Sequence, residues 1–217
     1  MALTICVTGN IASGKTTCAK LLAERFVNAC YVSEPHLENP FLPLYLKDKS
    51  RWGFTAQLRY FRDYALFFHE ATSHHTYDFH FVDAGIWTNR LIYVAYLRRE
   101  HILTEDEHTF YQEMCQTIQQ AYSVPDANAF IFVNASPQTC WDRMHQRGWQ
   151  YQVSAVDLPY IEALDDMLRT MKHTVAQDGI PALELSSEAL DFANAADQSE
   201  VLSRVQRFLD LSESAHP

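Results

Sequence analysis

The chain has 217 residues, which is enough for one domain with a sizeable core and too few for two domains of typical size. Hydrophobic residues make up 47% and charged residues 20%, as in an ordinary globular protein. The formal net charge of −10 argues against a basic face that binds nucleic-acid polymers, so any phosphate site must be local. We therefore predict a single domain over residues 1–217.

The five cysteines are odd in number and widely spread along the chain. No two have the short spacing of zinc ligands, so no zinc site is expected. Cys6 and Cys30 lie in apolar runs and are predicted to be buried thiols, which favours a reducing, cytoplasmic compartment. We expect no signal peptide, and no apolar run approaches the ~20 residues that span a bilayer.

Short apolar runs alternate with longer stretches of helical periodicity. The runs have the length and composition of buried parallel strands, and they cover residues 3–8, 29–33, 79–83, 129–134 and 182–185. The helical stretches cover residues 14–27, 52–75, 89–100, 105–122, 137–147, 158–177 and 197–211. This alternation predicts a doubly wound α/β fold, in which helices flank both faces of a five-stranded parallel sheet.

The first predicted strand leads into a motif of the form G-x-x-x-x-G-K-[ST], whose residues are Gly9-Asn10-Ile11-Ala12-Ser13-Gly14-Lys15-Thr16. A strand before it and a helix after it are the context that a phosphate-binding loop requires. The alternative, a chance match on a glycine turn, has no reason to carry that context. In such a loop, backbone N–H groups surround the phosphates, Lys15 reaches the β- and γ-phosphates, and Thr16 can bind Mg²⁺.

Acidic residues follow the second and third predicted strands. Glu34 comes just after the second strand and is a candidate general base, although a carboxylate that complements a helix dipole is an alternative. Asp83 ends the third strand and is a candidate Mg²⁺-organising residue, with a turn or N-cap aspartate as the alternative. Ligands of open α/β sheets bind at the carboxyl ends of the strands, where both acids would face the phosphate loop.

Two arginines, Arg143 and Arg147, lie four residues apart on the helix that follows the fourth strand. This spacing puts both side chains on one helix face, where they can close over a transferring phosphoryl group. The alternative is a solvated basic end of the helix.

Together these features resemble the deoxynucleoside kinase family, the P-loop enzymes that phosphorylate the 5′-hydroxyl of deoxynucleosides. The resemblance covers most of the chain. The matching features are the phosphate loop through Thr17, Glu34-Pro35, Asn39-Pro40-Phe41-Leu42, the set Trp52, Phe54 and Gln57, the stretch 133–147 with Pro137, Thr139-Cys140 and Arg143, and the stretch 160–164.

The resemblance implies a role for most of these residues. Gln57 would pair with the nucleobase edge, because an amide offers one donor and one acceptor. Trp52 and Phe54 would lie beside the base, with core packing as the alternative for either. The other substrate contacts that we assign on this basis are Tyr45, Asn89 and Gln152.

The resemblance also implies the catalytic arrangement. Glu34 would accept the hydroxyl proton, and Lys15, Arg143 and Arg147 would stabilise the transferring group. Thr16 and Asp83 would organise Mg²⁺, with ATP as the phosphoryl donor. The family further implies a lid at about residues 143–155 and a homodimer.

The sequence departs from the family pattern at four positions. Ala84 stands where the family has an arginine after the acid, and Trp149 stands where the lid has a third arginine. The family glutamate that contacts the sugar 3′-hydroxyl falls at Gln152, and its tyrosine partner falls at Leu46, next to Tyr45. The departures leave open a kinase with a reshaped sugar site, a kinase for another small hydroxyl compound, and a nucleotide-binding member without catalysis. Arg62 and Arg90 are the candidates to replace the missing cation.

Overall fold

The computed structural model describes residues 2–36 and 38–214. Five strands form one parallel sheet, and they are β1 (Leu3–Gly9), β2 (Ala29–Val32), β3 (Phe79–Asp83), β4 (Ala129–Asn134) and β5 (Ala182–Ser186). Their order across the sheet is β2-β3-β1-β4-β5, and every neighbouring pair is parallel. The predicted five-stranded parallel sheet is confirmed.

The helices are α1 (Lys15–Arg25), α2 (Leu42–Lys47), α3 (Lys49–Thr72), α4 (Gly85–Thr88), α5 (Ala95–Arg99), α6 (Glu105–Ala121), α7 (Pro137–Arg147), α8 (Gln150–Val153), α9 (Leu158–Gln177) and α10 (Ala195–Ser214). A π-helical turn, Asn89–Val94, joins α4 to α5. The sequence predicted one helix over residues 89–100, and it did not predict the short helices α2 and α8.

The side chains of each central strand alternate between two separate cores. In β1, Ile5 and Val7 lie in the core covered by α1 and α10, whereas Cys6 lies in the larger core that contains residues of α3, α6 and α9. Successive side chains of a strand point to opposite faces, so the two cores lie on the two faces of the sheet. Helices therefore cover both faces, as the sequence predicted. Among the described residues, no helix is both long and apolar enough to cross a membrane.

The strand register gathers the predicted functional segments at one edge. Val7 of β1 pairs with Asp83, and Gly9 pairs with Val133 of β4, so the phosphate loop starts between these two strand ends. A side chain at position 9 would place its Cβ 2.5 Å from the carbonyl oxygen of Val133, which explains the glycine there. At Gly14, where the loop enters α1, φ is 98°, a conformation that glycine adopts without strain.

Candidate active site

A cavity of about 610 Å³ opens at the carboxyl edge of the sheet. Its walls come from the phosphate loop, Glu34, helices α2, α3, α7 and α9, the π-helical turn, the segment between α7 and α9, and the loop that follows β5. This volume is typical of cavities that bind small molecules and cofactors. One continuous cavity thus joins the phosphate loop to the residues predicted to hold a nucleoside.

The phosphate loop divides into residues that line the cavity and residues that support them. The lining residues are Ile11, Ala12, Gly14, Lys15, Thr16 and Thr17. Asn10 is buried behind them, where it donates a 2.9 Å hydrogen bond to the carbonyl of Ile161 and accepts one from the Ile11 N–H. Gly9 and Ser13 are likewise buried and do not line the cavity, so six of the nine residues assigned to nucleotide binding line it.

Thr16 and Asp83 lie in direct contact beside the loop. The Thr16 hydroxyl donates a 2.6 Å hydrogen bond to Asp83 Oδ2, which also accepts one from the Tyr31 hydroxyl at 3.1 Å. Burial, followed by the nearby charge of Glu34, raises the pKa of Asp83 to about 6. Asp83 Oδ1 is buried and has no partner among the described residues.

This oxygen set suits Mg²⁺. Hydroxyl and carboxylate oxygens are the ligands that this hard cation prefers, and an unpartnered buried carboxylate oxygen is relieved by a cation. Among the described residues, no group of three or more His, Cys, Asp or Glu side chains could hold a metal ion alone. Mg²⁺ at Thr16 and Asp83 would therefore share its remaining positions with phosphate oxygens and water.

Glu34 faces the phosphate loop across the cavity. Its Oε2 lies 3.8 Å from Lys15 Nζ, and its Oε1 accepts a 3.2 Å hydrogen bond from the Tyr64 hydroxyl. Burial raises the pKa of Tyr64 well above its usual value, so this phenol stays a neutral donor. The two contacts fix the position of the Glu34 carboxyl group on the cavity wall, between the phosphate loop and α3.

Helix α7 and the segment that follows it carry the predicted lid residues. Arg143 donates two hydrogen bonds of 2.8 Å to Ser187, one to its hydroxyl and one to its carbonyl oxygen. Arg147 donates a hydrogen bond to Gln152 Oε1, and its guanidinium carbon lies 3.8 Å from the ring centre of Trp149. Both arginines, Trp149 and Gln152 line the cavity. The tryptophan that replaces the family's third arginine thus holds one face of Arg147.

The opposite end of the cavity contains residues that the sequence predicted to contact the nucleoside. Gln57 and Asn89 are each about 1% exposed, and the Asn89 amide donates a 2.6 Å hydrogen bond to Gln57 Oε1. Tyr45 and Leu46 also line this end. The Tyr45 hydroxyl lies 2.8 Å from the Tyr160 hydroxyl, so it already has a protein partner.

Trp52 and Phe54 do not line the cavity. Trp52 stacks on Phe41 at 5.7 Å, and Phe54 stacks on Phe110 of α6 at 6.1 Å. These contacts hold both rings outside the cavity, although Phe54 lies only three residues before Gln57 on α3. The packing of these two rings corresponds to the core alternative considered for them.

The two arginines considered as replacements for the missing cation also lie elsewhere. Arg62 donates a 2.8 Å hydrogen bond to Asp63, and Arg90 is exposed on the π-helical turn. Neither lines the cavity, where the lysine and arginine side chains are Lys15, Arg143 and Arg147. Ala84, at the position of the family's arginine, is fully buried with a φ of 64°.

Sequence reasoning missed two groups of lining residues. The first is the loop after β5, in which Ser187 holds Arg143 and Phe192 packs 3.6 Å from the Cβ position of Gly14. Its place at the carboxyl end of a predicted parallel strand was the available signal. The second is a set of tyrosines from separate helices and the π-helical turn, namely Tyr60, Tyr64, Tyr93 and Tyr160. Tyr60 and Tyr64 share a face of α3 through their i, i+4 spacing, but no local pattern in the sequence brings them together with Tyr93 and Tyr160.

A phosphate loop after the first strand of a parallel sheet, with acidic residues at the carboxyl ends of β2 and β3, is the arrangement of a P-loop kinase. The deoxynucleoside kinase family model matches residues 5–210, so the chain belongs to that family. It is therefore an enzyme that transfers a phosphoryl group from ATP to a deoxynucleoside. The resemblance inferred from the sequence is confirmed.

Individual relatives support the family and differ in the base that their names give. Human mitochondrial thymidine kinase 2 is 32% identical over 170 residues, which cover 74% of this chain and 60% of that protein. A mitochondrial deoxyguanosine kinase of Xenopus laevis is 26% identical over 94% of this chain and 88% of its own length. The structure of deoxyadenosine kinase from M. mycoides with bound dATP is 16% identical, has a TM-score of 0.73, and covers 94% of this chain and 99% of that one. That structural likeness supports the fold.

Proposed function

We propose that this enzyme transfers the γ-phosphoryl group of ATP, with Mg²⁺, to the 5′-hydroxyl of a deoxynucleoside. One observation carries the proposal: Glu34 lies 3.8 Å from Lys15 in a single cavity that runs from the phosphate loop to the buried Gln57 amide. A hydroxyl bound beside Glu34 would face the donor phosphates held at Lys15. This is the in-line arrangement that phosphoryl transfer requires.

The donor end would be held by the phosphate loop. Lys15 and the N–H groups at the start of α1 bind the phosphates, and Thr17 continues this lining. Thr16 and Asp83 would hold Mg²⁺, which supplies charge neutralisation of the phosphate oxygens when it is bound. Lys15 turns from Glu34 to the phosphates when a nucleotide enters, because the phosphates carry more negative charge than one carboxylate.

The proton and the transferring group would be handled from opposite walls. Glu34, kept in place by Tyr64, accepts the proton of the acceptor hydroxyl. Arg143 and Arg147 approach from the proposed lid, about residues 143–155, and stabilise charge on the transferring phosphoryl group. The Trp149 ring orients Arg147 toward the cavity by a cation–π contact.

The acceptor end would be built around Gln57. Its amide reads the edge of the base, with Asn89 and Tyr45 beside it, and Gln152 lies at the lid side of the cavity. We leave Trp52 and Phe54 out of this site because their rings pack against Phe41 and Phe110. Gln152 Oε1 accepts from Arg147 and keeps a second lone pair, so this oxygen and the N–H₂ group can both meet a sugar hydroxyl.

We further propose that residues 1–217 act as one domain and that the enzyme is a cytoplasmic homodimer serving nucleotide salvage. The single sheet with two face-covering cores supports one domain. Five free, buried thiols are consistent with a reducing compartment. Family membership supports the dimer, which light scattering on the purified protein would test.

The direct experiment is a coupled assay of ADP release with ATP, Mg²⁺ and each of the common deoxynucleosides in turn. The expected product is the 5′-monophosphate, identified by its phosphorus–proton coupling in NMR spectra. A nucleoside that lacks the 5′-hydroxyl is the matched control and should give no turnover. ADP release that is the same with this control would contradict the proposed acceptor, and binding of ATP without any turnover would favour the non-catalytic alternative.

A further inference from the structure

A chain of hydrogen-bonded side chains runs behind the acceptor end of the cavity. The Tyr111 hydroxyl donates to Asn89 Oδ1 at 2.5 Å, and the Asn89 amide donates to Gln57 Oε1 at 2.6 Å. The Gln57 amide acts as a donor toward Tyr45, where it partly offsets the rise that burial gives the pKa of this phenol, and the Tyr45 hydroxyl lies 2.8 Å from that of Tyr160. The five residues come from α6, the π-helical turn, α3, α2 and α9, so the chain ties five elements together around one amide.

The structure places the Asn89 and Gln57 amides in one defined direction along this chain. Asn89 Oδ1 accepts from Tyr111, so the Asn89 N–H₂ group must face Gln57. Gln57 therefore turns its oxygen toward Asn89 and its own N–H₂ group toward Tyr45. With Asn89 placed in this way, turning the Gln57 amide alone would set two N–H₂ groups against each other.

Three hydrogen-bonding positions remain for a ligand. Each N–H₂ group has a second N–H, and Gln57 Oε1 has a second lone pair. In order, Asn89 and Gln57 offer the cavity a donor, an acceptor and a donor. Both side chains line the cavity and are about 1% exposed, so a ligand that leaves one of these groups unmatched loses much of its affinity.

We propose that Asn89 and Gln57 together select a nucleobase whose edge reads acceptor, donor, acceptor, which is the imide edge of thymine or uracil. A donor–acceptor–donor array is the same from either end, so the selection does not depend on which way round the base lies. Cytosine and adenine offer one donor next to one acceptor, so they match only two of the three protein positions. Guanine would set its amino group against an N–H of the protein. The inference rests on the proposed function, since it assigns Gln57 to the base.

Deoxyuridine and deoxycytidine form the sharpest ligand pair, because they differ only at positions 3 and 4 of the base. We expect kcat/KM for deoxyuridine to exceed that for deoxycytidine by at least about tenfold, with thymidine resembling deoxyuridine. Calorimetric titration of each nucleoside should show the same preference without turnover. A wild-type preference for deoxycytidine, deoxyadenosine or deoxyguanosine would overturn the inference and leave the kinase function intact. Binding that favours deoxyuridine, with no phosphorylation of any nucleoside, would overturn the kinase function and support the base assignment.

Asn89→Asp tests the array itself. A carboxylate only accepts, so Gln57 must turn its N–H₂ group toward position 89, and the array becomes acceptor–donor–acceptor. The deoxyuridine-to-deoxycytidine ratio should then fall by at least about tenfold. An unchanged ratio in a folded Asn89→Asp variant would contradict the assignment.

Asn39→Asp is the matched control. Asn39 is also a buried asparagine, and its amide donates to the carbonyl of Ala56 on α3, but it does not line the cavity. This variant should lower the activity toward both nucleosides alike and keep their ratio. If Asn89→Asp fails to fold, the comparison of the two nucleosides with the wild-type enzyme still decides the inference.

Discussion

Replacing Asp83 by Asn is expected to stabilise the protein without nucleotide and to weaken its response to Mg²⁺ and ATP. Asp83 is about 1% exposed, and its Oδ1 has no partner among the described residues. Its charge is therefore held in the folded chain at a cost that a bound cation would remove. An amide keeps an oxygen for the hydroxyls of Thr16 and Tyr31 and removes the buried charge.

The pKa of Asp83 gives the size of the effect. Its rise from 3.8 to about 6, caused first by burial and then by Glu34, corresponds to about 3 kcal/mol against the charged folded state. The variant also loses the attraction of Lys15, so we expect a net gain of about 1–2 kcal/mol. For a chain of this length that gain raises Tm by about 2–8 °C.

The pH dependence has a definite sign. Below pH 3.8 Asp83 is protonated in both states, and between that value and about 6 the unfolded chain releases its proton first. The contribution of Asp83 therefore lowers the free energy of unfolding as the pH rises through this window, and it is constant above it. The advantage of the Asn variant should shrink as the pH is lowered toward 4.

Thermal unfolding at about pH 4 and about pH 7.5, with and without ATP and Mg²⁺, measures these effects. Asp63→Asn is the matched control, because Asp63 is equally buried but pairs with Arg59 at 2.5 Å and Arg62 at 2.8 Å. That variant should be less stable than the wild type. The reasoning is refuted if Asp83→Asn is less stable than the wild type near neutral pH without nucleotide, or if ATP and Mg²⁺ stabilise both proteins equally.

Two further predictions concern the two ends of the cavity. Lys15→Ala should lose most of its affinity for ATP in calorimetric titration, whereas Lys47→Ala, which changes an exposed lysine, should keep it. If Lys15→Ala still binds ATP like the wild type, the phosphate loop does not hold the nucleotide. The enzyme should also discriminate poorly against a missing 3′-hydroxyl, because Leu46 cannot hydrogen-bond and Gln152 is neutral. The kcat/KM ratio between the best deoxynucleoside and its 2′,3′-dideoxy counterpart should be about tenfold, or about 1–1.5 kcal/mol, and a ratio of a thousand would contradict this. Tyr45, the alternative partner for that hydroxyl, already bonds to Tyr160.

The sequence was sufficient to predict the sheet and to place the phosphate-loop side of the candidate site. The phosphate loop begins where β1 ends, Asp83 is the last residue of β3, and Glu34 lies two residues after β2. Parallel strands bring these carboxyl ends to one edge. Local signals therefore located these residues. The short helices α2 and α8 were not predicted, because segments of six and four residues carry too little periodicity to indicate a helix.

The acceptor end depends on contacts between residues far apart in the chain. Tyr45 and Tyr160 are 115 residues apart, and Asn89 and Gln57 are 32 apart, so no local spacing predicts either hydrogen bond. The same holds for Arg143, whose position on α7 was predicted but whose partner, Ser187, lies 44 residues away. Trp52 and Phe54 show the limit most clearly, because their proximity to Gln57 in sequence does not put their rings in the cavity.

The central claim, that Glu34 is the general base of a 5′-hydroxyl kinase, is tested most directly by kcat in Glu34→Gln. An amide of the same shape keeps the Tyr64 contact but cannot take the proton, so kcat should fall by about 10²–10⁴ with the affinity for ATP preserved. Glu38→Gln, which changes an exposed neighbouring carboxylate, should leave kcat unchanged. Near-wild-type turnover by Glu34→Gln would contradict the account, because the proton would then leave the acceptor hydroxyl by another route.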